Sequence, residues 1–136
     1  MLAYDPAVRT ATLARIIGPY LVLMAMALFA RQDSLPQLLQ AFMQDAPLVF
    51  AAGAFTLMAG LVIIAVHHHW SGAGAIVISV IGIVAAIKGA SLMIAPGLGS
   101  DITAAVVDAP LVLPIVAGVQ MLVGLWLTFV GWRSKT

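Results

Sequence analysis

Few side chains in this sequence have the means to do chemistry. Three histidines stand in a row, His67, His68 and His69, followed directly by Trp70. Imidazole ligates metals and haem, and it titrates near neutral pH. Consecutive helical residues point in different directions, however, so ligands for one ion need a spacing of three or four. The chain has no other histidine, no cysteine and no glutamate to complete a site. A metal site on His67, His68 and His69 would therefore need a second copy of the chain. The plainer reading is a polar loop against lipid headgroups, and no cofactor is expected.

Lys88 is the second candidate. It is the one charge well inside a long apolar run, where an ionisable group costs roughly 2.5–3.5 kcal/mol on insertion scales. Ser91 lies one turn further on, and Thr56 and Gln120 fall at similar depths in two other apolar stretches. Lys88, Ser91, Gln120 and Thr56 form the candidate ligand-binding set. The competing reading is structural. The lysine stem can snorkel toward Asp101, Asp108 or lipid phosphates, and Thr56 and Gln120 can serve as interhelical hydrogen-bonding groups worth roughly 0.6 kcal/mol each. Arg15, one turn inside the first apolar stretch, reads as a snorkelling anchor.

These residues exclude several functions. Enzyme chemistry needs a base with an oriented partner, and the histidines have none evident, so no enzyme is expected. A cation- or proton-coupled carrier usually keeps a carboxylate inside the membrane, and all five acids, Asp5, Asp33, Asp45, Asp101 and Asp108, lie outside the apolar runs. A channel needs polar groups along its length. The net charge of +1 argues against a nucleic-acid partner.

The elements that position these residues follow from composition. Of 136 residues, 63% are hydrophobic and 8% charged, against roughly 25% charged in soluble domains, and the mean hydropathy is +1.14. The bilayer must be the solvent for most of this chain. A hydrocarbon core about 30 Å thick needs about 20 apolar helical residues, and four stretches qualify: 11–30, 46–66, 74–95 and 109–132. Backbone groups without water must pair within a helix. The expected fold class is therefore all-α, an integral membrane four-helix bundle in a single transmembrane domain spanning 1–136. Between the first two spans, Leu35, Leu38, Leu39, Phe42 and Met43 define one helical face, which predicts an interfacial helix over 35–44. Residues 101–107 predict a shorter equivalent.

Punctuation marks the ends. Asp5-Pro6 reads as an N-cap with proline at the first helical position. Asp45 and Asp108 suggest the same for the second and fourth spans. Pro96-Gly97 should stop the third, and Gly18-Pro19 should kink the first. Arg9, Arg15, Arg133 and Lys135 flank one side, and only Arg31 lies on the other. The positive-inside rule predicts cytoplasmic termini. The first residues do not read as a cleavable signal peptide.

Asp45-Ala46-Pro47-Leu48-Val49 recurs as Asp108-Ala109-Pro110-Leu111-Val112. One reading is duplication, giving two tandem helical hairpins. The other is that Asp-x-Pro is simply a good helix start. Close helix contact in lipid comes from small residues. Gly82, Ala86 and Ala90, then Ala52, Thr56 and Gly60, then Gly124 and Thr128, predict mutual contact among spans two, three and four.

His67-x-x-Trp70, then Gly82, Lys88-Gly89 and Pro96, resembles a pattern of small uncharacterised four-helix bacterial inner-membrane proteins. The match covers about a third of the chain, and it departs at His68 and Ile83, where that pattern often has asparagine and tryptophan. The resemblance implies a bacterial inner (cytoplasmic) membrane location and no particular activity. The expected function is a non-enzymatic structural or accessory subunit acting through helix–helix contacts in the lipid bilayer, within a homo-oligomer or a larger membrane complex. The alternative is a small membrane carrier or lipophilic-ligand binder built on the polar cluster around Lys88.

Overall fold

A computed structural model describes residues 5–134; Lys135, one of the charges behind the orientation, lies outside them. The chain forms six helices in the order α1 (Pro6–Ala30), α2 (Leu35–Gln44), α3 (Ala46–Val66), α4 (Ala73–Ile94), α5 (Pro96–Val107) and α6 (Val112–Arg133). Helices α1, α3, α4 and α6 are long and apolar enough to cross a membrane, so this is an all-α, multi-pass membrane protein. Helices α2 and α5 are shorter and close the end opposite the described termini.

Local chemistry explains most boundaries. Asp5 Oδ1 accepts from the Ala7 N–H at 2.9 Å, and Asp45 Oδ1 accepts from the Leu48 N–H at 3.1 Å. Each carboxylate satisfies an amide that the first helical turn leaves open. Pro6, Pro36, Pro47 and Pro96 all sit in first turns, where a missing N–H costs nothing. Pro96 does stop α4, but it also starts α5, which is longer than the segment expected over 101–107. Helix α1 runs through Pro19 without a break.

The second copy of the repeated pentapeptide behaves differently. Asp108 ends α5 and caps nothing on α6, which begins only at Val112 after Leu111. The residues before Asp108 are already helical, so its backbone N–H is drawn to the Ala104 carbonyl at 3.0 Å. One motif thus starts α3 but finishes α5.

The pairing of spans is nested rather than tandem. Helix α3 packs along α4, and α1 packs along α6, whereas α1 touches α4 only over a short stretch. The expected mutual contact of spans two, three and four holds for two with three. Span four lies instead against span one. Small residues explain both close pairs. A Cβ on Gly89 would strike the Leu57 backbone, one on Gly60 would strike Ala86, and one on Gly53 would come within 2.9 Å of the Gly89 carbonyl oxygen. On the other pair, a Cβ on Gly18 would come within 2.5 Å of Thr128, and one on Gly124 within 2.9 Å of Val22. Gly18 is therefore a contact point, not merely the neighbour of a helix-breaking proline.

The two pairs are joined near the termini by Ala14, Ile17, Ile78 and Leu127, with Ile63, Val77, Ile81 and Val123 packed around them. At the opposite end α2 lies on α5, with α2 also touching α3 and α5 touching α4.

Candidate functional site

Two polar sites stand at opposite ends of the bundle, and they are built on different principles. The one near the termini centres on His67, the residue that follows α3. The residue is only 2% exposed. His67 Nδ1 lies 3.1 Å from Ser79 Oγ on α4, and Nε2 lies 2.9 Å from Thr10 Oγ1 on α1. The Ser79 hydroxyl donates to the His69 carbonyl at 3.0 Å, and the Thr10 hydroxyl reaches the Pro6 carbonyl at 2.9 Å.

Proton counting assigns the ring. Ser79 spends its proton on His69, so its oxygen accepts from His67 Nδ1–H. In a neutral ring Nε2 is then an acceptor, and Thr10 must turn its hydroxyl toward it and away from Pro6. The Pro6 carbonyl loses little, because it sits in the backbone ladder of α1. A charged ring would instead donate at both nitrogens. Burial pushes the His67 pKa below the ordinary histidine value, and His69 and His68 add to this. Burial thus favours the neutral ring, and the Ser79 bond favours its Nδ1–H tautomer.

This site is saturated. Both ring nitrogens are occupied, and the described residues hold no group of three His, Cys, Asp or Glu fit for a metal ion. His68 is exposed and His69 half-buried; the three residues lie past the end of α3 in non-helical backbone, and the His69 ring stands edge-on to that of His67 with 5.4 Å between centroids. The polar-loop reading is corrected for His67, which points into the bundle and ties three helices together. Arginines reinforce the same end. Arg9 Nη1 donates to the Val66 carbonyl at 3.1 Å, at the C-terminus of α3. Arg15 donates through Nε to the Gly131 carbonyl at 2.8 Å and through Nη2 to the Ser134 carbonyl at 3.1 Å. Its guanidinium also lies 5.7 Å from the Trp132 ring centroid. Cations at a helix C-terminus meet the negative end of its dipole. Arg15 thus caps α6, where a snorkelling anchor was expected.

The second site surrounds Lys88. Lys88, with Ser91 and Leu92 of α4, lines a cleft of about 340 Å³. Leu39, Phe42 and Met43 of α2 form another wall, and Gly99, Ile102, Thr103 and Val106 of α5 a third. The α5 residues recur at three and four, one face of a helix. Among the described residues no acceptor pairs with the Lys88 ammonium, and the Thr103 hydroxyl has no hydrogen-bond partner. The Ser91 hydroxyl donates to the Lys88 carbonyl at 2.8 Å.

Of the four candidate ligand residues, the structure brings Lys88 and Ser91 to this cleft and leaves the others elsewhere. Gln120 Nε2 donates to the Leu21 carbonyl at 3.3 Å, inside the α1–α6 pair. The Thr56 hydroxyl returns to the Ala52 carbonyl of its own helix at 2.8 Å. Thr103 and the α2 wall were not expected there. The apolar face of α2 was legible, but its spacing alone does not distinguish a lipid surface from a neighbouring helix.

No family model matches this chain, and no curated protein or solved structure shows significant similarity to it.

Proposed function

We propose that this chain is a non-enzymatic membrane protein that binds a lipophilic ligand in the cleft between α2, α4 and α5. The observation that carries the reading is Lys88 on the wall of a mostly apolar cleft, its ammonium without a partner among the described residues. An intramembrane ionisable residue is costly and marks a functional site by default. The cleft volume of about 340 Å³ falls within the roughly 300–1,000 Å³ of small-molecule pockets. In the same reading the protein resides in a bacterial inner membrane with both termini cytoplasmic. The cleft then opens toward the outer leaflet.

A neutral photoactivatable alkyl probe tests this in reconstituted full-length protein. Labelling at Leu39, Phe42, Leu92 and Ile102 should saturate with probe concentration, unlike labelling at the lipid-facing Phe55 and Leu122. Uniform, unsaturable labelling would remove the proposal.

The accessory-subunit reading is a second proposal. It draws less support from the small residues, because Gly18, Gly53, Gly60, Gly89 and Gly124 are used within one chain. What favours it is Gly118 on α6, which has open space around it beside the exposed Ile115, Val119 and Leu122. A strict monomer in native mass spectrometry, with no co-purifying protein, would count against it.

A further inference from the structure

Resting on the cleft as a ligand site, we infer that its occupant is a single-chain amphiphile with an acidic head, the acid meeting Lys88 and Thr103. Charge supplies the first argument. Lys88 carries a cation into a helix of otherwise apolar neighbours, and the carboxylates of this end are used or turned elsewhere. Asp45 caps α3. Asp101 lies on α5 outside the cleft-lining face of Gly99, Ile102, Thr103 and Val106. Asp108 ends α5, and Asp33 precedes α2. None pairs with Lys88 among the described residues. In a low dielectric an uncompensated ammonium gains most from a counter-anion, and the described residues supply none.

The donor set is the second argument. An ammonium has three donors and no acceptor, and a threonine hydroxyl can add a fourth donor. Donors without protein acceptors fit an acceptor-rich head such as a carboxylate, through charge-assisted hydrogen bonds. Most of the remaining wall, Leu39, Phe42, Met43, Leu92, Ile102 and Val106, is hydrocarbon or thioether and matches an acyl chain, and the Ser91 hydroxyl is used within α4.

Depth and size choose between acid sources. Lys88 lies about 9 Å below the α4 terminus at Ile94, taking 1.5 Å per residue. A small carboxylate on a single chain can descend that far, whereas the headgroup of a bilayer phospholipid stays at the interface. A volume of about 340 Å³ also sits near the small end of ligand pockets, which suits one chain better than two.

The test uses the full-length protein in phosphatidylcholine nanodiscs, titrated with cis-parinaric acid at a pH where it is ionised. Its neutral methyl ester is titrated in parallel. The acid should bind at least about tenfold more tightly than the ester, as expected for a hydrogen bond to a charged group. Lys88→Met should erase that preference while leaving ester binding intact, Lys88→Arg should retain it, and Thr103→Val should reduce it about threefold. Lys88→Met removes a charge from the membrane, and a thermal melt verifies that it folds. Equal binding of acid and ester by the wild type would overturn the inference and leave the cleft as a neutral site. Saturable binding of neither probe would remove the cleft reading as well. Adding phosphatidylglycerol should leave the difference between wild type and Lys88→Met unchanged; its loss would assign the cleft to a phospholipid and overturn the single-chain assignment.

Discussion

The ends of this bundle treat polar groups in opposite ways. Near the termini, His67, Thr10, Ser79 and two arginines form a closed network in which donors meet carbonyls, a hydroxyl oxygen or a ring nitrogen. Beneath α2 and α5, Lys88 and Thr103 line a mostly apolar cleft with no partner among the described residues. Both ends carry the expense of polar atoms within an apolar protein. Only the first recovers it within the chain. A saturated network fixes helices, whereas an unsaturated one stores interaction energy for something that arrives from outside. The lesson is that burial alone does not identify a binding residue: the more buried His67 is structural, and the more exposed Lys88 is the candidate.

The sharpest way to break this contrast is to remove each centre in turn. His67→Ala should lower stability by about 3 kcal/mol or more, because it deserts Ser79 and Thr10 and leaves a cavity among three helices. Lys88→Met should cost nothing and should raise the melting temperature, since its charge has no partner among the described residues. Thermal unfolding in one detergent compares the two directly. A larger loss for Lys88→Met would show that the cleft, not the histidine network, holds the fold.

A smaller effect comes from pH. The folded pKa of His67 lies below its ordinary value, so the unfolded chain takes up a proton first on acidification. The stability that the neutral ring confers is complete above about pH 6.5 and declines as pH falls toward the folded pKa, by at most about 1.4 kcal/mol per pH unit. Melting temperature should therefore drop between pH 7.5 and pH 5.5, and His67→Gln should flatten that part of the profile. A profile unchanged by His67→Gln would place the titration on another group. The smallest effect is expected at Gln120, whose bond to Leu21 ties α6 to α1. Gln120→Leu should cost about 0.6 kcal/mol and leave ligand binding unaltered. A marked loss of binding would return Gln120 to the Lys88 site.

Much of the architecture was legible beforehand. The span over 46–66 and the short helix over 35–44 coincide with α3 and α2, because Asp45-Ala46-Pro47 and Leu35-Pro36 carry their own start signals. Lys88 and Ser91 were legible as a pair from helical spacing. The role of His67 was not. Thr10 and Ser79 lie at matching depth on spans one and three, but depth does not say which helices adjoin. The identical Asp-Ala-Pro-Leu-Val copies mislead for a related reason: whether the aspartate starts or ends a helix depends on what the preceding residues are doing.

The amino-acid sequence by itself determined that four apolar helices cross a membrane, since hydropathy and backbone hydrogen bonding leave no other solution. It also determined that one lysine would lie inside a span. Only the tertiary structure decided that span one pairs with span four. Small residues on every span permit several close contacts, and the complementary positions of Gly18, Gly124 and Thr128 select one. The same choice decided which polar groups close upon one another. It brings Thr10 and Ser79 to His67, draws Gln120 toward α1, and leaves Lys88 under α2 and α5 with its charge unanswered among the described residues.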